Sequence, residues 1–178
     1  MKIKKDVFYL SIIIILLGLS AEFYYTYQHR PAREIRVYYN QDEQLNDQIV
    51  DVIRGADKFV YFSIYTFTRR DIEDALLAAK YRGLEVRGIT DQSQYQQASG
   101  QKAIIDELKK YDIPVLFQNH DGIMHMKVVV TDKAYASGSY NWTSSATTIN
   151  DEVLEVGFDP DVRAQYQRVL EKDFDRNK

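Results

Sequence analysis

The sequence predicts an α/β domain built on a mixed β-sheet flanked by helices on both sides, preceded by an N-terminal transmembrane or signal helix. Three observations predict it. Strand-like and helix-like apolar periods alternate from residue 35 onward. Two neighbouring strand patterns then follow residue 125, as a hairpin requires. One unbroken apolar run stands near the start, where Lys2, Lys4 and Lys5 precede residues 7–21 with only Ser11, Gly18 and Ser20 interrupting.

That run is short for a bilayer span of roughly 20 residues. Continued through Glu22 to Tyr27 it is long enough, and Phe23, Tyr24, Tyr25 and Tyr27 suit a membrane–water interface. Residues 12–17 have no polar face, which argues against a buried core helix. The expectation is an uncleaved anchor with the domain exported, facing the periplasm or cell exterior. The alternative is secretion after cleavage behind Ala21, although Leu19 is a poor small residue for such a site. Residues 24–34 read as a tether in which Pro31 ends any helix, so the chain divides into 1–30 and 31–178.

Within the domain, residues 35–39 read as a strand and 45–54 as a helix with Leu45, Ile49, Val52 and Ile53 on one face, stopped by Gly55. Residues 59–67 are a strand of aromatics and Ile/Val, and its aromatics read as core. Residues 71–81 form a helix presenting Ile72, Ala75, Leu76 and Ala79. A strand at 84–90, a helix at 101–111 and a strand at 115–118 follow. The hairpin is expected from strands 125–131 and 135–141, then a strand at 153–158 and a closing helix at 162–174.

Composition narrows the chemistry. The chain has no Cys, which excludes disulfide scaffolds, Cys-ligated zinc and thiol nucleophiles together. With three His, a multi-histidine metal centre would need nearly all of them. Lys+Arg 23 stands against Asp+Glu 26. Removing the 4 cations and 2 anions of residues 1–30 leaves 19 against 24, a balance of −5 for the domain. A polyanion site must therefore be a local patch.

The chemistry concentrates in His125-Met-Lys127, Asp132, Gly138-Ser139-Tyr-Asn141 and Asn150-Asp-Glu152. Side chains alternate along a strand, so His125 and Lys127 share a face, as do Ser139 and Asn141. A three-residue loop at 132–134 would set His125 opposite Asn141 and Lys127 opposite Ser139, one polar square on one face. A two-residue loop would separate the pairs, because a one-residue slip inverts every side chain. The expectation is the three-residue loop. Imidazole, ammonium, hydroxyl and amide together suit a phosphate and its developing charge. Histidine can serve as nucleophile or general acid and base, and Glu152 is the candidate carboxylate to orient it. Lys127 inside a valine-rich strand argues against a merely structural histidine, since an unpaired buried ammonium is costly. His120, Arg69 and Arg70 read as surface residues and Trp142 as packing, with the two arginines able to meet a phosphate backbone.

On these residues the chain resembles the phospholipase D superfamily. The HxK(x)4D(x)6GSxN signature is met by His125, Lys127, Asp132, Gly138, Ser139 and Asn141, with five residues in place of six before Gly138. Asn150 and Glu152 meet the downstream N-x-E. Tyr65-Thr-Phe67, Ile72 through Arg87, Asp91-Gln-Ser93 and Gly122-Ile-Met-His125 resemble the small bacterial nuclease branch, over roughly residues 35–175. The resemblance implies a phospholipase D-like fold and phosphodiester hydrolysis through a phosphohistidine, with no metal and no cofactor. It implies two motifs per site, hence a homodimer, since this chain carries one. Lys127, Ser139 and Asn141 would then hold substrate, Glu152 would orient His125, and Asp132 would be a hydrogen-bond partner near the turn. A non-specific endonuclease acting on DNA and/or RNA is the first expectation. A phospholipase D or cardiolipin-type lipid hydrolase is the second, and a non-catalytic nucleic-acid-binding subunit the third.

Overall fold

In the computed structural model, which describes residues 2–28 and 33–178 (side chains at 7–25 and 33–178), the apolar run forms helix α1 (Lys2–Gln28). Its span Val7–Tyr25 has a mean hydropathy of 2.0 and buries no side chain against protein. Nineteen helical residues rise about 29 Å, enough to cross a bilayer core. Residues 24–28 belong to α1 rather than to a tether, since the helix runs unbroken to Gln28. Pro31 lies outside the described residues. Two compact units meet the eye in the chain, divided at Arg33.

In the second unit the strands are β1 (Ile35–Tyr39), β2 (Phe59–Ile64), β3 (Glu85–Thr90), β4 (Val115–Phe117), β5 (Lys127–Thr131), β6 (Tyr135–Gly138) and β7 (Val153–Gly157). The helices are α2 (Leu45–Arg54), α3 (Arg70–Tyr81), α4 (Gln92–Gln97), α5 (Ser99–Lys110), α6 (Ser144–Thr148) and α7 (Pro160–Arg176). The seven strands form one mixed sheet in the order β1-β7-β6-β5-β2-β3-β4. β2, β3 and β4 are parallel, and every other pair is antiparallel. Ile49 and Ile53 of α2, Leu76 of α3 and Ile105 of α5 bury one face with Val60, Phe62, Ile64 and Val129. Leu170 and Phe174 of α7 cover the other with Tyr61, Ile89, Val130 and Tyr135. Helices thus flank both faces, each through an apolar stripe at helical spacing. Helices α4 and α6 escaped the sequence reading because six and five residues are too few to show a period; each is started by a side-chain cap, from Asp91 and Thr143.

Register places the candidate residues at one end of the sheet. β5 runs against β2 with Lys127 beside Ile64, so it begins where β2 stops. β3 ends there too, at Thr90, and β6 leaves the sheet there at Gly138, beside Leu154. The end beyond the carboxyl termini of parallel strands is where open α/β sheets bind ligands.

The hairpin departs from expectation. Val128 pairs with Ser137 and Val130 with Tyr135, so the connection is two residues, Asp132 and Lys133. Thr131 closes it: its Oγ1 accepts from the backbone N–H groups of Lys133 and Ala134 at 3.1 and 3.0 Å, and its own N–H donates to Ala134 O. Lys127 therefore stands across from Gly138 rather than Ser139. The expected strands at 125–131 and 135–141 are also shorter, since His125 precedes β5 and Ser139 and Asn141 follow β6.

Asp132 lies at this turn, about 16 Å along the strand from Lys127. Its Oδ1 accepts from the backbone N–H groups of Asp57 and Lys58 at 2.9 and 3.0 Å, which pins the α2–β2 loop to the hairpin. Burial opposes ionisation of its carboxyl, but the Asp57 and Lys58 amides outweigh that and lower its pKa. Asp132→Ala should lower unfolding stability by about 2–3 kcal/mol, since two amides lose their acceptor. Urea titration checks the loss, and an unchanged midpoint would remove the anchoring role.

Candidate active site

The site is assembled by the segment that follows β2. After Ile64 the chain leaves the sheet, and the Gln101 side chain, fully buried, catches it. Gln101 Nε2 donates to Tyr65 O at 3.1 Å and to Thr90 Oγ1 at 2.8 Å, and its Oε1 accepts from Phe67 N at 2.9 Å. Across the gap, Trp142 N donates to Thr66 O, and Trp142 O accepts from Thr68 and Arg69 N. The buried indole packs edge-on to Phe67 at 4.9 Å between centroids. Residues 65–69 are therefore held on both sides by bonds that water cannot easily compete for.

Tyr65, so fixed, faces both members of the His125/Lys127 pair. Its ring lies 4.7 Å from the His125 ring between centroids, with planes at 57°. The Lys127 ammonium stands 5.1 Å from the Tyr65 centroid and donates to His125 O at 2.9 Å. His125 is exposed, and among the described residues its ring makes no hydrogen bond. Lys127 is only 8 % exposed. Burial lowers its pKa, partly countered by the Glu152 carboxylate. The ammonium is thus a desolvated cation with donors to spare.

Asn141 meets the same segment. Its Oδ1 accepts from Thr66 N at 3.2 Å, and its amide hydrogens make no bond among the described residues. Ser139 reaches a different partner, since its Oγ donates to Glu152 Oε2 while accepting from Val153 N. Asn150 Nδ2 donates to the other oxygen, Glu152 Oε1, at 3.1 Å. This placement needs Gly138, because a Cβ there would meet Val153 O at 2.1 Å and force β6 from β7.

Four of the expected site residues, His125, Lys127, Ser139 and Asn141, lie with Glu152 at this end of the sheet, and Asp132 does not. The square on a single strand face is replaced by a cluster arranged around Tyr65 and Thr66, because three of its members sit outside regular strands. Glu152 makes no hydrogen bond to His125 among the described residues; its oxygens accept from Ser139 and Asn150. Tyr65 is half-buried beside the histidine, not core. Arg69 and Arg70 pair with Asp71 and Glu73.

A further residue works behind the site. Asp91, fully buried, accepts at Oδ2 from Met124 N and Gln118 Nε2, each at 3.0 Å. At Oδ1 it accepts from Gln94 N at 2.9 Å and from the Ser93 hydroxyl. It thereby joins the start of α4 to the strand of chain leading into His125. Asp-x-Ser directly after a strand is a helix-capping pattern that could have pointed to it.

A protein-family profile described as "Cardiolipin synthase, PLD-like domain" matches residues 49–174. The chain is 31% identical over 129 residues to the mitochondrial cardiolipin hydrolase of Chlamydomonas reinhardtii, covering 72% of this chain and 56% of that one. It is 34% identical over 105 residues to the phospholipase D of Rickettsia prowazekii, covering 58% of this chain and 50% of that one. It spans about half the length of these curated relatives. The fold is similar to that of Nuc from Salmonella typhimurium, a phospholipase D family member, with a TM-score of 0.76 and 23% identity over 83% of this chain and 97% of that one. NucT from Helicobacter pylori is similar at a TM-score of 0.75 and 26% identity, over 82% and 98%.

Asp91→Asn should cost about 1–3 kcal/mol of unfolding free energy at pH 7. Burial raises the Asp91 pKa, but the Ser93 hydroxyl and the Gln94 and Met124 amides more than reverse this, so the folded value lies below the ordinary 3.8. Such a group contributes stability above its unfolded value and loses it as pH falls through the folded one. The gap between wild type and variant should narrow as pH falls below about 4. Urea titrations at pH 7 and pH 3 measure it, and a gap independent of pH would refute the ionised role.

Proposed function

The chain belongs to the phospholipase D superfamily, and on that premise we propose that it is a metal-independent phosphodiesterase, an endonuclease cleaving DNA and/or RNA in a site shared by two copies. One observation carries the reading: an exposed His125 ring rests on Tyr65 beside a buried ammonium and a free Asn141 amide. Helix α1 holds the enzyme at a membrane, with the catalytic unit on the periplasmic or outer side.

A ring nitrogen of His125 attacks phosphorus, forming a P–N bond as the P–O bond to the leaving strand breaks. The partner's His125 gives its proton to the departing oxygen. Water then attacks phosphorus and the P–N bond breaks, while the partner's histidine takes the water's proton and is restored. Lys127 and Asn141 hold the non-bridging oxygens, where charge builds up. Ser139 and Glu152 act as a unit that keeps an anion facing Lys127 and so favours its charged form. A single imidazole cannot be covalently bound and donate a proton at once, which is why a second copy completes the site.

A second reading, hydrolysis of phospholipid, draws on the names of the curated relatives and on the −5 charge of the domain, which lacks the basic footprint of most nucleic-acid binders.

Plasmid nicking by the full chain should persist in EDTA and fall on the order of a thousandfold in His125→Ala. Headgroup release from cardiolipin vesicles without nicking would favour the second reading instead. Mixing His125→Ala with Lys127→Ala chains should leave activity far below wild type, because every shared site lacks a group; full activity in a monomer would end the shared-site idea. Turnover should also fail on the alkaline side below pH 10.5, the ordinary lysine value, since burial makes Lys127 release its proton early. A limb at or above that value would contradict the buried-cation role.

A further inference from the structure

The end of the sheet opposite His125 has its own character. Helices α3 and α5 both run from the catalytic end to this one, finishing at Tyr81 and Lys110. Tyr81 is 94% exposed and Tyr111 51%, an unusual cost for two large rings. With Leu77, Ala78 and Lys80 they line an apolar groove of about 460 Å³. Nearby acids Asp57, Glu85 and Glu107 are ion-paired with Lys133, Arg87 and Lys110. Among the described residues Lys80 has no acidic partner, Arg82 donates to the Ile53 and Arg54 carbonyls, and Asp112, beside Tyr111, is an unpaired acid.

The chain also joins the catalytic unit at this end. β1 begins with Ile35 opposite Gly157 and reaches Tyr39 opposite Val153, next to Glu152 at the catalytic end. The sequence between the span, which ends at Tyr25, and Ile35 is nine residues.

We propose that the Tyr81/Tyr111 groove is a membrane-docking surface whose occupant is the anionic bilayer interface, with the His125 end turned toward the aqueous phase. Tyrosine rings with an apolar body and a polar tip favour the headgroup region, and Lys80 beside them meets anionic lipid. Docked so, the site receives a polymer from solution rather than a lipid from the same leaflet, which deepens the nuclease reading and rests on α1 as an anchor.

The absence of Cys makes the test simple, because single cysteines can be labelled cleanly. The full chain carrying Tyr81→Cys, Tyr111→Cys or Ile149→Cys is labelled with nitrobenzoxadiazole and reconstituted in vesicles of phosphatidylcholine and phosphatidylglycerol. Ile149 is 77% exposed and follows α6 at the catalytic end. Labels at 81 and 111 should shift to the blue and be quenched by nitroxide lipids severalfold more than the label at 149. Stronger or equal quenching at 149, or none at any position, would overturn the docking face. Release of the chain from vesicles by alkaline carbonate would overturn the anchor itself, a distinct outcome.

Discussion

The arrangement turns on a buried cation. Lys127 sits inside a sheet whose neighbouring positions, Val128, Val129 and Val130, are apolar and closed to water. An ammonium there is costly unless something answers its charge. The answers are the His125 carbonyl, the Tyr65 ring and the Glu152 carboxylate beyond. Each ties Lys127 to a different part of the chain, so the group that would bind phosphate also dictates where the surrounding elements must lie. The Ser139–Glu152–Asn150 bonds keep the carboxylate from collapsing onto the ammonium and quenching its remaining donors.

Holding those answers in place is the task of buried amides and acids rather than of strands. Gln101 ties the turn after β2 to Thr90 of β3, and Asp91 holds the approach to His125 through Oδ2 while its Oδ1 caps α4. Both reach from just beyond β3, so one short stretch, residues 91–101, braces the Tyr65 segment on one side and the segment leading into His125 on the other. A site on irregular backbone gains the rigidity of a sheet in this way without the geometric limits of one.

Much of this was legible in the residues themselves. β1 and α2 fall on the expected 35–39 and 45–54, because β1 is rich in β-branched and aromatic residues and α2 has a clear apolar period stopped by Gly55. His125, Lys127 and Asn141 were visible as a group because a lysine among valines and a Gly-Ser-x-Asn run are hard to explain by packing, whereas the bond between Ser139 and Glu152 was not. The hairpin register was not legible. It depended on whether Thr131 would close a two-residue turn, and a threonine at a strand end shows nothing of that in sequence. Tyr65 was hidden for a similar reason: it stands among Tyr61, Phe62 and Phe67, and only the bonds from Gln101 and Trp142 lift it from the core to the site.

The most direct test looks for the bond that defines the chemistry. The full chain is mixed with oligonucleotide substrate in EDTA, quenched in base within its first turnover, digested and read by mass spectrometry. A base-stable, acid-labile phosphoryl adduct on the peptide bearing His125, absent from His125→Ala, is the predicted result. Turnover with no adduct at that residue, or with one elsewhere, would contradict it.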